Sequence, residues 1–267
     1  MNETLTRTLS GVVYIILLIT ATLFLNSFLL LFGIFLIITV VEFCNLVHLK
    51  STFPIAIAIL GFLLFSFFPM SHRAEVMLLG ATLFVSVRCI FFLFEKNNRP
   101  IDTLSKYVFL IGYVILPIIL ITKIPFIGNR YDPKIIIAIF ILIWANDTFA
   151  FVVGKSIGRH KLFERISPKK TIEGFLGGLV FAVIFSILIA KFFITGSTIG
   201  HWIMISLIVS IFGTIGDLVE SKFKRLAGIK DSGKIMPGHG GILDRLDSII
   251  FVAPFVFLLY QILNYVS

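Results

Sequence analysis

Residues 28–47 read FLLLFGIFLIITVVEFCNLV, a run in which Glu42 is the one charged side chain. A helix needs roughly 20 mostly apolar residues to cross a bilayer, and this run is long enough. Open sheet edges cannot face lipid and the alternating pattern of a membrane barrel is absent, so we predict a transmembrane helix. Eight further apolar segments follow the same rule, at residues 10–25, 53–70, 75–94, 104–122, 135–154, 174–194, 199–219 and 245–265.

The composition of the whole chain agrees with a membrane protein. Of its 267 residues, 58% are hydrophobic and 14% are charged, whereas average soluble chains have roughly 45–50% apolar and about 25% charged residues. A soluble globule could not bury so much apolar surface, which excludes a soluble enzyme and a disordered chain. We predict an all-α, polytopic integral membrane protein with about nine transmembrane helices. It would form one membrane domain over 1–267, with N-terminal spans in 1–135 and the spans and loops that carry the polar chemistry in 136–267.

The distribution of basic residues predicts the orientation. Most of the 23 Lys and Arg residues fall in the connections after spans 2, 4, 6 and 8, including Arg99, while Arg88 lies inside span 4. Positively charged loops stay in the cytoplasm, so we predict that these connections are cytoplasmic and that both termini lie outside. The first span lacks a small-residue cleavage site and is interpreted as a retained helix. Cys44 and Cys89 are expected to be buried free thiols.

Acidic residues inside the predicted spans indicate a site, because ionisable groups are costly in lipid. Asp147 lies seven residues before Gly154, about 10 Å along a helix, where it would line a polar cavity or bond to a neighbouring helix. Asp217 and Glu220, three residues apart, share a helix face. Paired carboxylates repel unless a cation or proton intervenes, and hard ions such as Mg2+ prefer these oxygens. A solvated helix end is the alternative for this pair.

Two other charged residues in the spans are less informative. Glu42 lies in span 2 and Arg88 in span 4. Opposite charges within lipid commonly pair, so we expect a structural ion pair between these two residues.

The segment 221–247 is the densest polar stretch and joins spans 8 and 9. Basic residues open it, and the run GHGG at 238–241 lets backbone N–H groups approach an anion closely. Asp244 and Asp247 then begin the last span, where acids could bind metal or only cap the helix. A second basic loop holds Lys169 and Lys170 just before span 7; a membrane-surface anchor would look similar.

Together, these features describe carboxylates that hold a metal among lysines, arginines and a glycine-rich turn. Phosphoryl and nucleotidyl transfer need both signs of charge, because metal ions bridge phosphate oxygens and cations offset the charge of the transition state. A polar site near the cytoplasmic interface suits a substrate with a phosphate head and two acyl tails.

The stretch 221–247 closely resembles the signature of CDP-diacylglycerol synthases, also called phosphatidate cytidylyltransferases. The signature reads Ser-x-apolar-Lys-Arg, four residues, Lys-Asp, a gap, Pro-x-His-Gly-Gly and apolar-x-Asp-Arg-apolar-Asp. Every fixed position is met, by Ser221, Lys224, Arg225, Lys230, Asp231, Pro237, His239, Gly240, Gly241, Asp244, Arg245 and Asp247. The stretches from Asn146 to Lys155 and from Ser167 to Gly174 look similar to the same family.

The resemblance implies a CTP:phosphatidate cytidylyltransferase of phospholipid biosynthesis, which makes CDP-diacylglycerol and pyrophosphate from CTP and phosphatidic acid. It implies Mg2+ as cofactor, with K+ as a second cation in some members, and metal ligands Asp217 and Asp244 with Asp147 nearby. The catalytic set adds Lys224 and Arg225. The expected substrate-binding residues are Lys169, Lys170, Ser221, Lys222, Lys230, His239, Gly240, Gly241 and Arg245.

The same resemblance implies an active site that faces the cytoplasm from the cell (inner) membrane, contact with membrane lipids, a homodimer and no nucleic-acid partner. A cytidylyltransferase that acts on a different lipid phosphate is the nearest alternative. An ion transporter is a second, but its polar residues would be spread over paired halves, whereas here they crowd one half. The motif of CDP-alcohol phosphotransferases is absent from the sequence.

Overall fold

The computed structural model describes residues 3–68, 70–96, 100–126, 130–194 and 196–266. Arg99, which contributed to the predicted orientation, lies outside these residues. Within them, nine helices of 16 residues or more account for most of the chain. They are α1 (Glu3–Thr22), α2 (Leu25–Val47), α3 (Thr52–Phe67), α4 (His72–Phe94), α5 (Thr103–Phe126), α6 (Pro133–Ile157), α7 (Ile172–Phe193), α8 (Ile199–Leu226) and α9 (Leu243–Val266).

Each helix coincides with one predicted span, and seven of those in the described ranges are long and apolar enough to cross a membrane. The other two, α1 and α3, are shorter apolar helices. The prediction of an all-α polytopic membrane protein is confirmed. The two largest differences at a boundary are equal: α1 begins at Glu3 rather than at residue 10, and α8 ends at Leu226 rather than at residue 219.

Short polar side chains start several of these helices. The hydroxyl or carboxylate of the residue before the first turn accepts a backbone N–H of that turn, which satisfies one of the donors that a helix start leaves unpaired. Residues of this kind precede α4, α5, α6, α7 and α8; they are Ser71, Asp102, Asp132, Thr171 and Thr198. Pro133 then fills the first position of α6, where its missing N–H costs nothing.

The connection between α6 and α7 contains a small antiparallel hairpin of β1 (Lys161–Phe163) and β2 (Ser167–Thr171), which the sequence analysis did not predict. The strands are short and polar, so they lack the alternation of apolar residues that signals a strand. The carboxylate of Glu173 accepts the backbone N–H groups of Arg159 at 3.0 Å and His160 at 3.2 Å, which fastens the hairpin to the start of α7.

A cluster of aromatic rings joins helices that are distant in sequence. The Phe223 ring on α8 lies 5.1 Å from Phe43, 4.9 Å from Phe92, 5.3 Å from Phe109 and 5.8 Å from Tyr113, centroid to centroid. These rings belong to α2, α4 and α5, so the N-terminal spans pack directly against the helix that carries Asp217 and Glu220.

The predicted position of the N-terminus was wrong. The Ser10 hydroxyl on α1 donates to the Pro237 carbonyl at 2.9 Å, so α1 starts beside the connection between α8 and α9. At the opposite end of α1, Tyr131 donates to the Thr22 carbonyl at 2.6 Å. A chain that crosses twice returns to the side from which it began. The start of α1 therefore shares the side of the basic connections after α2, α4, α6 and α8.

Candidate functional site

A cavity of about 660 Å³ opens between α6, α7, α8, α9 and the hairpin. Its size lies in the range of small-molecule pockets, roughly 300–1,000 Å³. Seven of the residues that the sequence predicted for the site line this cavity: Asp147, Lys169, Lys170, Asp217, Lys224, Asp244 and Arg245. The structure thus brings together predicted side chains from three helices, α6, α8 and α9, and from β2.

Asp217 and Asp247 line the cavity, and the buried Glu220 lies beside them to complete an acidic centre of three carboxylates. One oxygen from each of Asp217, Glu220 and Asp247 lies within 4.8 Å of the others. The spacing of three residues on α8 supplies the first two, as predicted. Asp247 joins them because Gly216 lets α9 approach α8: a β-carbon at Gly216 would lie 2.6 Å from the Asp247 carbonyl oxygen. The sequence analysis interpreted Asp217 and Glu220 as a pair that favours a cation and left Asp247 as a metal ligand or a helix cap, but the ligand set implied by the resemblance included neither Glu220 nor Asp247.

Lysine side chains surround this acidic centre. The Lys170 ammonium contacts the Asp217 carboxylate, and the Lys224 ammonium contacts Glu220 and lies 2.7 Å from Asp244 Oδ1. Ser221 donates from its hydroxyl to Asp217 Oδ1 at 3.3 Å. Anionic and cationic groups therefore lie side by side at the cavity, and phosphoryl and nucleotidyl transfer need both signs of charge.

Asp244 is held by protein donors on both of its oxygens. In addition to Lys224 on Oδ1, its Oδ2 accepts the Ser232 N–H at 2.9 Å, the Ser232 hydroxyl at 2.8 Å and the Gly241 N–H at 2.7 Å. Gly240, at φ +87°, makes this turn in the left-handed region that favours glycine. Asp244 thus fixes the glycine-rich turn beside the cavity, and its role as a metal ligand stays a prediction.

Asp147 lies on α6 and lines the cavity together with the lysines. Its Oδ1 accepts a hydrogen bond from the Asn146 side-chain amide at 3.3 Å. It lines the large cavity and also a smaller one next to α1. The polar-cavity interpretation of Asp147 is consistent with this position, whereas its assignment to metal stays a prediction.

The basic residues that open the signature segment separate in space. Lys222 points away from the cavity: its ammonium donates to the carbonyls of Phe92 and Glu95, the latter at 2.9 Å, and lies 4.2 Å from the Phe92 ring centroid. Residues of a helix are rotated about 100° per position, so Lys222 and Lys224 lie on nearly opposite faces. Arg225 bonds to the Ile166 carbonyl at 3.4 Å.

Lys230 also lies apart: it is exposed and is not among the residues that line the cavity. Lys222, Arg225 and Lys230, which were predicted to contact substrate, therefore do not line the cavity. Helical spacing separates Lys222 from Lys224, but the sequence analysis grouped the basic residues of this segment together.

The expected pair of Glu42 and Arg88 was wrong. The buried Glu42 carboxylate accepts the N–H groups of Ile242 at 3.1 Å and Leu243 at 2.7 Å, and so caps the start of α9. Arg88 instead pairs with Glu95 at 3.2 Å. A helix start needs acceptors, but no pattern in the amino-acid sequence indicated that α2 would supply one to α9.

His239 lies against α1 rather than in the large cavity. Its Nδ1 is 2.7 Å from the Ser10 hydroxyl, and its carbonyl accepts a hydrogen bond from Arg245 at 3.0 Å. Burial, together with the positive charges of Arg245 and Arg7, lowers the pKa of His239 below its usual value. The ring is thus kept neutral. No property of the sequence indicated that Ser10 would meet the signature segment.

Similarity to known proteins identifies the family of this chain. The family model described as the cytidylyltransferase family matches residues 5–263. The phosphatidate cytidylyltransferases of Staphylococcus haemolyticus (strain JCSC1435) and Staphylococcus aureus (strain COL) are each 52% identical, over 115 and 117 residues, which are 43% of this chain and 44% of each relative. That of Staphylococcus epidermidis (strain RP62A) is 46% identical over 127 residues, 48% of this chain and 47% of the relative.

The chain thus spans less than half the length of the curated relatives it matches. The family model, by contrast, includes all nine helices, from α1 to the last turns of α9, and every residue of the acidic centre. By this match, the chain belongs to the cytidylyltransferase family.

Proposed function

We propose that this chain is a CTP:phosphatidate cytidylyltransferase of phospholipid biosynthesis, set in the cell (inner) membrane with its site facing the cytoplasm. The observation that carries the proposal is the carboxylate centre of Asp217, Glu220 and Asp247, walled by lysines at one end of a bundle of apolar helices. Membership of the cytidylyltransferase family and the names of the relatives support CTP and phosphatidic acid as the substrates.

The acidic centre suits a divalent cation. Its donors are all hard carboxylate oxygens, which Mg2+ prefers. Glu220 is 1% exposed, and its Oε1 has no hydrogen-bond partner among the described residues. Mg2+ held at this centre would offset the negative charge of the phosphate groups. We propose that Asp217, Glu220 and Asp247 hold it; K+ as a second cation remains an expectation from the family.

The side chains of the cavity wall would orient the triphosphate. Lys170 and Lys224, which contact carboxylates in this structure, would exchange these partners for phosphate oxygens. Lys169 and Arg245 add positive charge at the edge. The lipid phosphate is itself an anion at neutral pH and needs no strong general base. One of its oxygens bonds to the α-phosphorus of CTP as the bond to the β-phosphate breaks, and pyrophosphate leaves.

A direct assay tests the proposal. The purified protein in detergent is given radiolabelled CTP, with a panel of lipid phosphates and with or without Mg2+. We expect CDP-diacylglycerol from phosphatidate only when Mg2+ is present. Product from another lipid phosphate alone would favour the nearest alternative, and ion flux in vesicles without any product would favour a transporter. The expected homodimer is tested by the mass of the purified particle.

Variants locate the reaction in the cavity. We expect Asp217→Asn to lower turnover at least about 100-fold, because charge stabilisation of the transition state is lost. The matched control is Asp102→Asn, which changes the same functional group at the cap of α5, where asparagine caps equally well. Normal turnover in Asp217→Asn would remove the metal assignment.

A further inference from the structure

A second cavity, of about 210 Å³, lies on the α1 side of the acidic centre. It shares five lining residues with the large cavity, so the two spaces meet there: Asp147, Asp244, Arg245, Asp247 and Ser248. The family resemblance implies that Arg245 and His239 bind substrate, but it assigns neither of the two substrates to this space.

The rest of its wall is mostly apolar. Ile15 of α1 and Phe140, Ile143 and Trp144 of α6 line it, and all of them lie in the helical spans. The rings of Phe140 and Trp144 stack, with 5.8 Å between centroids and 23° between planes. The space therefore has an apolar side within the membrane and a charged end at the acidic centre.

Helix α1 covers this cavity from the outside of the bundle. Tyr14 and Leu18, one turn apart, are buried against the bundle, whereas Val13 is 63% and Ile16 56% exposed on the face that would meet lipid. A peripheral helix with one narrow buried stripe separates the cavity from the lipid, so the boundary between α1 and α6 is a short path between them.

The polar end carries groups that suit an anion. Arg245 forms no ion pair with any described residue, and its one described hydrogen bond is to the His239 carbonyl. When the Ser10 hydroxyl directs its proton to His239 Nδ1 instead of to the Pro237 carbonyl, the His239 proton lies on Nε2 and can be donated to an anion. Gly11 keeps this end open, since a β-carbon there would lie 3.4 Å from the His239 ring.

We infer that the second cavity binds the phosphate head of the lipid substrate on Arg245 and His239, with the acyl chains leaving between α1 and α6. The inference rests on the proposed function and assigns the nucleotide to the large cavity. Size supports the division: about 210 Å³ is below the usual range for a whole small molecule, but a headgroup needs only this end. The two substrates then meet at Asp147, Asp244 and Asp247.

Tryptophan fluorescence tests binding without turnover. Of the two tryptophans, Trp144 lines the cavity and Trp202 is buried elsewhere, 1% exposed. In Trp202→Phe protein we expect saturable quenching by phosphatidate with brominated acyl chains, at least severalfold stronger than by brominated phosphatidylcholine, and unchanged by saturating CTP. Equal quenching by the two lipids, or displacement of phosphatidate by CTP, would overturn the inference.

Kinetics of cavity-filling variants provide a second test. Gly11→Leu should raise the KM for phosphatidate about tenfold, the scale of a steric misfit, and leave the KM for CTP within twofold. Ala150→Leu, which fills only the large cavity, should give the reverse pattern, and Val13→Leu on the exposed face of α1 should change neither. A rise in the CTP KM alone in Gly11→Leu would contradict the inference.

Ile15→Trp serves if Gly11→Leu does not fold, and should give the same pattern. If the unmodified protein makes no CDP-diacylglycerol, the proposed function fails, while the quenching experiment still decides whether the cavity binds a lipid phosphate.

Discussion

A single buried carboxylate, that of Glu42, joins parts of this chain that are distant in sequence. The Glu42 carboxylate accepts two backbone N–H groups from residues 200 and 201 positions away and a hydroxyl from Ser232 at 3.4 Å. Hydrogen bonds to a charged acceptor are roughly twice as strong as neutral ones. A residue from the spans without apparent chemistry therefore fixes the start of the helix that carries Asp244 and Asp247.

Replacing this carboxylate should destabilise the protein. We expect Glu42→Gln to lower the free energy of unfolding by about 1–3 kcal/mol, because an amide leaves a buried donor unpaired. The control Glu95→Gln alters an exposed ion pair and should cost at most about 1 kcal/mol. Thermal unfolding in detergent measures both. A coupling energy between Glu42→Gln and Arg88→Gln would instead favour the ion pair that the sequence suggested.

His239 gives the stability of the protein a defined pH dependence. Its pKa is lowered in the folded state by burial and by the charges of Arg245 and Arg7, whereas an unfolded histidine has a pKa near about 6.5. As pH falls through that value, the unfolded chain binds a proton first, so stability decreases; above it, this contribution is constant. The unfolding midpoint from pH 8 to 5.5 should fall less in His239→Gln. Identical slopes would contradict the assignment.

At the scale of helices, the acidic centre depends on how closely α8 and α9 pack. A β-carbon at Gly216 would lie 2.6 Å from both the Asp247 carbonyl oxygen and the Phe251 β-carbon. Neither is the free end of a flexible side chain, so the helices themselves would have to separate. The distance from Asp247 to Asp217 and Glu220 is therefore set by a residue without chemistry of its own.

Gly216→Ala should lower stability by about 1–3 kcal/mol, the usual cost of overpacking, and reduce Mg2+-dependent turnover because Asp247 moves away. Gly80→Ala is the matched control, since nothing lies within 4 Å of its β-carbon position. It should leave turnover unchanged. Calorimetry and the radiolabel assay measure the two effects, and normal turnover in Gly216→Ala would argue against a role for Asp247.

Two cations hold the carboxyl end of α4. Lys222 donates to the carbonyls of Phe92 and Glu95, and Arg165 of the hairpin connection donates to those of Leu93 at 3.3 Å and Glu95 at 2.9 Å. The last carbonyls of a helix lack partners and carry partial negative charge, so this contact is favourable.

This role of Lys222 predicts a variant that affects folding and not substrates. Lys222→Met should lower the free energy of unfolding by about 1–3 kcal/mol, because buried carbonyls lose their donor, while the KM for CTP and for phosphatidate stays within twofold. Lys170→Met, at a residue that lines the cavity, should raise the KM for CTP. A raised KM in Lys222→Met would restore its predicted role in substrate binding.

At the scale of the whole molecule, the basic connections, the hairpin and the start of α1 all lie at the end of the bundle that holds the cavity. This end should face the cytoplasm, since basic loops are retained there. A single added cysteine can report it, because Cys44 and Cys89 are both buried. In intact cells, an impermeant maleimide should label Lys134→Cys but not Lys161→Cys, and both after lysis. The reverse pattern would invert the orientation.

Helix positions were predictable because each span is recognisable from its local sequence, as a run of about 20 apolar residues. A rule based on single spans could not predict on which side α1 starts, because that depends on counting the two membrane crossings of α1 and α2. It also missed the hairpin, whose polar residues give no strand pattern. Within the site, Asp217 and Lys224 could be found because the helical period alone relates them to Glu220. Ser10 and Glu42 could not, since their partners are more than 180 residues away.

The amino-acid sequence by itself determined that the chain folds in lipid, that its fold is all-α and that the site combines acidic and basic side chains. It could do so because hydropathy and helical spacing act over a few turns. Only the tertiary structure decided which acids lie together, which lysines contact them and which lysine instead binds the carbonyls at the end of a helix. Those choices depend on the distance at which α8 and α9 pack and on contacts from α1 and α2, and neither is encoded in any short stretch of the chain.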